Sequence, residues 1–246
     1  MTPNPLGLPD RARRRERIAL LDTIRGACVV VMVLYHLYYD LCACGPVVDR
    51  LSDDPIFRAA RACVAGTFFL ISGIASRFSR SNLRRGVRIL CWACVVTVVS
   101  WAVGETILFG VLHCLGCGMV LYSLAGDRID RVDRRILPLL CILGTALTAP
   151  MPLQRFSGVK GLFWLGIPSP EFASADYYPL LPWLFVFLLG TWAGGAVRDR
   201  RLPDRFYTID CPPLSAIGRV SLSVYLFHQP VCYSAALLAA RLMGRR

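Results

Sequence analysis

An arginine, a histidine and an aspartate share one apolar stretch near the start of this chain: Arg25, His36 and Asp40. At 100° per residue, Arg25 and His36 lie about 20° apart around a helix, with Asp40 about 40° further round and one turn beyond His36. Asp22 and Tyr39 border the same stripe. Asp40 is within reach of the ring, to orient it or to hold a proton on it. A neutral imidazole so placed can take a proton from an amine or hydroxyl that attacks a thioester, or attack the thioester itself to give an acyl-histidine. It can equally relay protons in a transporter. The competing reading is a packed histidine, and two charges on its own stripe weigh against it.

The other two histidines also sit among polar or small residues. Ser221, Tyr225, His228 and Cys232 follow one another at offsets of four, seven and eleven, with Gln229 beside His228. His113 lies among Gly110, Gly116 and Gly118, which permit close approach of a ligand or a helix. Cys42 with Cys44, and Cys114 with Cys117 beside His113, are the only clusters with a metal-like spacing, and without further ligands they make no zinc site. No metal is expected. Most of the eleven cysteines fall in apolar runs and read as small hydrophobes.

The elements that must hold these residues are membrane helices. The 246 residues are 55% hydrophobic and 18% charged, with a mean hydropathy of +0.52, whereas a soluble domain carries about 25% charged residues. A spanning helix needs about 20 mostly apolar residues. Spans are expected near Ile24–Leu41, Ala62–Ser76, Val87–Val103, Ile107–Ala125, Ile136–Ala149, Leu180–Val197 and Gly218–Leu242. The fold class is therefore all-α: a polytopic transmembrane bundle of about seven helices, six to eight by the same criteria. On these spans His36 lies about 18 Å and His228 about 15 Å from the cytoplasmic ends, and His113 about 9 Å below the outer end of the fourth. The three imidazoles then occupy one layer of the membrane.

Charge gives the orientation. Nineteen Lys and Arg residues fall in the N-terminal segment and the second, fourth and sixth loops, against eight in the intervening segments and the tail. The positive-inside rule puts the N-terminus in the cytoplasm. Distributed this way, the net charge of +12 reads as a topology signal against anionic lipid and not as a nucleic-acid footprint. The basic start followed by an apolar run imitates a signal peptide, but His36 and Asp40 interrupt that run, so it reads as a retained first span. Residues 1–17 form a basic cytoplasmic segment and 18–246 a single transmembrane domain.

Several stretches resemble a known family. Leu21-Asp22-Thr23-Ile24-Arg25-Gly26, continuing to Tyr35-His36 and Asp40, is similar to the opening helix of the heparan-alpha-glucosaminide N-acetyltransferase catalytic-domain family. Phe68-Phe69-Leu70-Ile71-Ser72-Gly73, Phe109-Gly110-Val111-Leu112-His113, Asp176-Tyr177-Tyr178-Pro179 and Ser221 to Pro230 resemble later helices in the same order, covering about residues 18 to 235. The resemblance implies a membrane acetyltransferase that takes acetyl-CoA, or another acyl-CoA, from the cytosol and delivers the acyl group to an acceptor across the membrane. The first-helix histidine, here His36, is then central to transfer. The acyltransferase-3 family is similar in its first-helix Arg and His and is a neighbouring reading.

These strands join in one expectation: an integral multi-pass membrane acyltransferase, in the cytoplasmic membrane if bacterial, acting on a sugar or glycan amine or hydroxyl. His36 and Asp40 are the catalytic candidates. Arg25 is a CoA contact, with Arg84, Arg85 and Arg88 as further phosphate ligands. His113, His228 and Gln229 line the site, and the aromatic loop from Pro150 to Pro179 caps its outer mouth or anchors at the interface. The lipid bilayer, acyl-CoA and the acceptor are the expected partners, with no nucleic acid. The alternatives are a small permease or proton-coupled transporter using the same polar layer, and a sensor or assembly subunit.

Overall fold

The computed structural model describes residues 18–45 and 47–244; the basic N-terminal segment and Arg245 and Arg246 lie outside them. Among the described residues the chain is helical with no strand, and six stretches are long and apolar enough to cross a membrane. It is an integral multi-pass membrane protein. The helices are α1 (Ala19–Ala43), α2 (Pro55–Ser76), α3 (Asn82–Ala102), α4 (Val111–Ile129), α5 (Ile136–Thr148), α6 (Leu180–Arg198), the short α7 (Arg205–Thr208), α8 (Pro212–Arg219) and α9 (Ser221–Leu242). Their boundaries follow local chemistry. Asp54 accepts from the Phe57 N–H ahead of Pro55 at the head of α2, and Ser81 accepts from the Arg84 N–H at the head of α3.

Two spans differ from the sequence-based expectation. The second begins seven residues earlier than Ala62, because the Asp54 cap and Pro55 start the helix ahead of the apolar run. The fourth begins at Val111 instead of Ile107, because residues 106–109 are drawn into an extended pairing with 175–178: the Ala175 N–H donates to the Thr106 carbonyl and the Tyr178 N–H to that of Phe109. With His113 in its first turn and Asp127 and Arg128 in its last, α4 is less apolar than the six spans, so the expected count of about seven becomes six by apolarity plus α4.

Contacts show how the chain runs. Leu70 faces Gly190, Gly73 faces Phe187 to Thr191, and Ile74 faces Gly194, so α2 and α6 are parallel. The Phe109–Tyr177 bridge at their heads and the approach of Gly118 to Phe187 make α4 parallel to α6. Gly86 against Gly116, with Thr97 against Ile107, makes α3 antiparallel to α4. Trp192 against Arg134, with Phe185 against Gly144, does the same for α5 and α6. Three helices running one way, joined through α3 and α5 running the other, require α4 to traverse the bundle. The end carrying the N-terminus of α1 is called inner below, and the opposite end outer.

The exterior is apolar, as a bilayer demands: Trp101, Val98, Leu139, Leu147 and Leu238 are exposed while Phe69, Met119, Phe187 and Thr191 are buried at the centre. Glycines set the closest contacts. A Cβ on Gly73 would lie 2.1 Å from the Phe187 carbonyl oxygen, and one on Gly190 2.1 Å from that of Leu70. Side chains at these points would push the helices apart, which is how small residues hold membrane helices together.

Candidate active site

The two polar stripes meet because α8 and α9 run beside α1 in a fixed register. A Cβ on Gly26 would lie 1.9 Å from the Leu214 carbonyl oxygen, and one on Gly218 1.9 Å from that of Asp22. Gly26 and Gly218 are thus equivalent positions on two parallel helices, each backbone close against the carbonyl one turn before the other glycine. Ten residues further on lie His36 on α1 and His228 on α9, which follows α8 after Val220, and their rings are 4.7 Å apart between centroids, edge to face. The chain therefore contains a Gly-x9-His spacing twice, each histidine preceded by an aromatic residue, Tyr35 or Phe227. That repeat is the sequence signal for the pairing.

The hydrogen bonds of the pair set its tautomers. His36 Nδ1 is 2.9 Å from the Met32 carbonyl oxygen and His228 Nδ1 is 2.7 Å from that of Tyr225. A carbonyl only accepts, so each Nδ1 carries the proton and each Nε2 keeps its lone pair. The Nε2 of His228 is buried without a hydrogen-bond partner. Asp40, the expected partner of His36, is buried and accepts from Gln229 Nε2 at 3.1 and 3.2 Å instead. Asp40 and Gln229 thus tie α1 to α9 one turn beyond the imidazoles.

A cavity of about 360 Å³ opens on the other side of His36. Its wall follows α1 from Cys28 to Tyr38, about 15 Å of helix, and is completed by Phe57 to Phe68 of α2, Val111, Asp176, Tyr178 and Tyr225. His36 is on this wall; His228, Asp40 and Gln229 stand behind it. His113 is elsewhere. With α4 starting at Val111, His113 falls in its first turn, where Nδ1 accepts from the Gly110 N–H at 3.3 Å. Its Nε2 is 3.2 Å from Thr97 Oγ1, whose proton goes to the Ile107 carbonyl, so the ring donates there. Both nitrogens are used in holding the α3–α4 turn, and the structure brings two of the three histidines together.

In the sequence Asp176 stands out only as the first residue of the Asp176-Tyr177-Tyr178-Pro179 stretch. The extended pairing of its loop with residues 106–109 turns it inward, where its carboxylate accepts from the Val111 N–H and the Tyr225 hydroxyl, both at 3.4 Å. Burial pushes its pKa up to about 6, against the lowering effect of those donors and of the nearby Arg61 charge. Arg61 lies over the Tyr35 ring, 4.7 Å from its centroid. The loop before Asp176 is folded on itself, with Phe163 stacked on Phe172 at 4.9 Å and the Tyr177 hydroxyl donating to the Phe163 carbonyl at 2.6 Å. At the inner end Arg25 donates to Asp22 at 2.6 Å and lies near enough to Arg85 for their charges to interact. The described residues bring no three His, Cys, Asp or Glu side chains together as a metal site.

The heparan-alpha-glucosaminide N-acetyltransferase catalytic-domain profile matches residues 17–230. This chain belongs to that family. The match runs from the head of α1 to Pro230 in α9, so the family's catalytic domain takes in both imidazoles, the Asp40–Gln229 tie and Asp176. Membership in a family of membrane acetyltransferases agrees with the bundle. No curated protein and no solved structure matches the chain.

Proposed function

We propose that the protein transfers an acetyl or other acyl group from cytosolic acyl-CoA to an amine or hydroxyl of a sugar or glycan at or across the membrane, with His36 as the reacting imidazole. The observation that carries this is the state of His36: its Nδ1–H is committed to the Met32 carbonyl, and its ring is on a cavity wall with the Nε2 lone pair unshared. In one form of the step, that nitrogen takes the proton as the acceptor attacks the thioester carbonyl. The carbon–sulfur bond then breaks, and the proton passes to the departing CoA thiolate. In the other, Nε2 itself attacks, the carbon–sulfur bond breaks and CoA leaves as the thiolate; the acceptor then attacks the acyl carbon, the bond to Nε2 breaks to return the neutral ring, and the acceptor's proton passes to solvent or to the thiolate. Either route puts a positive charge on the His36 ring for part of the cycle, and the neutral His228 beside it stabilises that charge. Asp40 and Gln229 hold the two helices at the register the pair needs, and His113 fixes the outer turn that brings Val111 and Asp176 to the cavity.

The inner end supports the donor side of the reading. Arg25, paired with Asp22, and Arg85 are near enough for their charges to interact, and Arg25 is about one turn inside the cavity's Cys28. Guanidinium groups there suit the phosphates of CoA.

The test uses purified protein in nanodiscs, radiolabelled acetyl-CoA and a panel of amino sugars and cell-envelope glycans. Label transfer is expected, with His36→Ala lowering kcat by about 10² to 10⁴. Turnover unchanged in that variant removes His36 from the chemistry. CoA released without any acceptor, in an amount equal to the protein, identifies the acyl-histidine route. Absence of both CoA binding and turnover, with solute uptake into vesicles, replaces the transferase by a transporter.

A further inference from the structure

We infer that the acceptor reaches His36 from within the bilayer, as a lipid-anchored amino sugar whose aliphatic chain occupies the mouth of the cavity between α1 and α2; this rests on the acyl-transfer reading above.

The lining of the cavity and the place of its opening both point this way. Val31 and Leu34 of α1 and Ala60 of α2 line the cavity and are also exposed, Leu34 to 59%. Val31 is the middle residue of α1, so this mouth faces hydrocarbon and not water. From there the wall continues outward through Leu34 and Phe57 to Leu51 and Tyr38 at the outer end, and along α2 through Val64 to Phe68 on the inner side. Helices α1 and α2 pack at the inner end, where Leu21 meets Ile71 and Ile74, and touch again at the outer end, where Tyr35 and Tyr38 meet Phe57. Between these points they are apart, and the gap is the mouth.

Arg61, Tyr35, Asp176 and Tyr178 gather on the wall about one turn outward of Val31, and Tyr38 lies one turn beyond Tyr35. A soluble glycan would have to shed its water against Val31, Leu34 and Phe68 with no hydrogen bonds in return. A molecule with a chain at the level of Val31 and a sugar at the level of Arg61 and Asp176 matches both zones. Its amine then lies beside His36, which follows Tyr35 on α1 at the level of the polar groups.

The experiment uses the full chain in nanodiscs and two probes, octyl β-glucosaminide bearing a diazirine at the end of its chain, and free glucosamine. After irradiation, label is expected on peptides spanning 28–38 and 57–68. An excess of unmodified octyl glucosaminide, or the paired change Val31→Trp with Ala60→Trp, should remove it. Acetyl transfer from acetyl-CoA should favour the octyl glycoside over glucosamine by at least tenfold in kcat/KM, a ratio that falls toward one in the Trp variant. Equal use of the two sugars, with label spread over α3 and α5 as on any lipid-facing helix, overturns the bilayer route and leaves the transferase standing. Competed label at the mouth without CoA release upholds the route and removes the transferase. A stable dimer whose cross-links run through Val31 and Leu34 also overturns it, since a second copy would then cover the mouth.

Discussion

At the scale of single residues, the buried polar pairs are where the structure is most exposed to change. Replacing Gln229 by Leu leaves the buried Asp40 carboxylate without its donor, and a loss of about 2 to 3 kcal/mol is expected in reversible unfolding measured in nanodiscs. Adding Asp40→Asn to that variant should recover part of the loss. Asp176 gives a pH signature. Its folded pKa is about 6 and its unfolded value about 3.9, so the folded state binds the proton more tightly. The stability it contributes is full below about pH 4 and disappears as pH rises through about 6. In Asp176→Asn the melting temperature should lose this fall between pH 4 and 7, read by scanning fluorimetry against the parent. The meeting of His36 and His228 was legible in principle, since both follow a glycine by ten residues and each glycine lets the helices touch. The inward turn of Asp176 was not: a carboxylate in a loop before an apolar run reads as solvated, and only its pairing with a segment about 65 residues earlier buries it.

Among the elements, the helices that carry the site are set by glycine contacts. A methyl group on Gly218 would collide with the Asp22 carbonyl, so Gly218→Ala should shift α8 and α9 along or away from α1 and misalign the imidazoles. The expected outcome is folded protein with acyl transfer reduced at least tenfold, checked by size-exclusion profile and radiolabel assay together. Gly73→Leu strikes a longer seam, because α2 would meet both Phe187 and Thr191. Loss of a monodisperse peak is expected there. Helix existence and order were readable from hydropathy alone, since about 20 apolar residues admit little else in lipid. The start of α4 was not, because apolar Ile107, Leu108 and Phe109 are claimed by strand-like pairing before the helix begins at Val111. That four-residue difference moved His113 from the expected reactive layer to a helix cap.

For the molecule as a whole, direction follows from counting. The parallel set α2, α4 and α6, opposed by α1, α3, α5 and α9, places the loop from Pro150 to Pro179 at the outer end and the turn at Arg200 at the inner end. With the N-terminus in the cytoplasm, alkaline phosphatase inserted after Gly158 should be active and the same insertion after Arg200 inactive, by assay on intact bacteria. The reverse pattern would invert the assigned orientation. The bundle also divides unevenly: α8 and α9 pack on α1, while α2 to α6 pack among themselves and meet α1 mainly at its ends. Both imidazoles therefore ride on one strut, and the opposite wall, with Arg61, Phe68 and Asp176, belongs to another body. A hydrogen bond from that strut to the far wall is the Tyr225–Asp176 contact at 3.4 Å, a latch whose acceptor has its pKa raised to about 6. Widening the gap between the bodies changes what can reach His36 without altering its distance to His228, so admission of substrate and exchange of protons are mechanically independent.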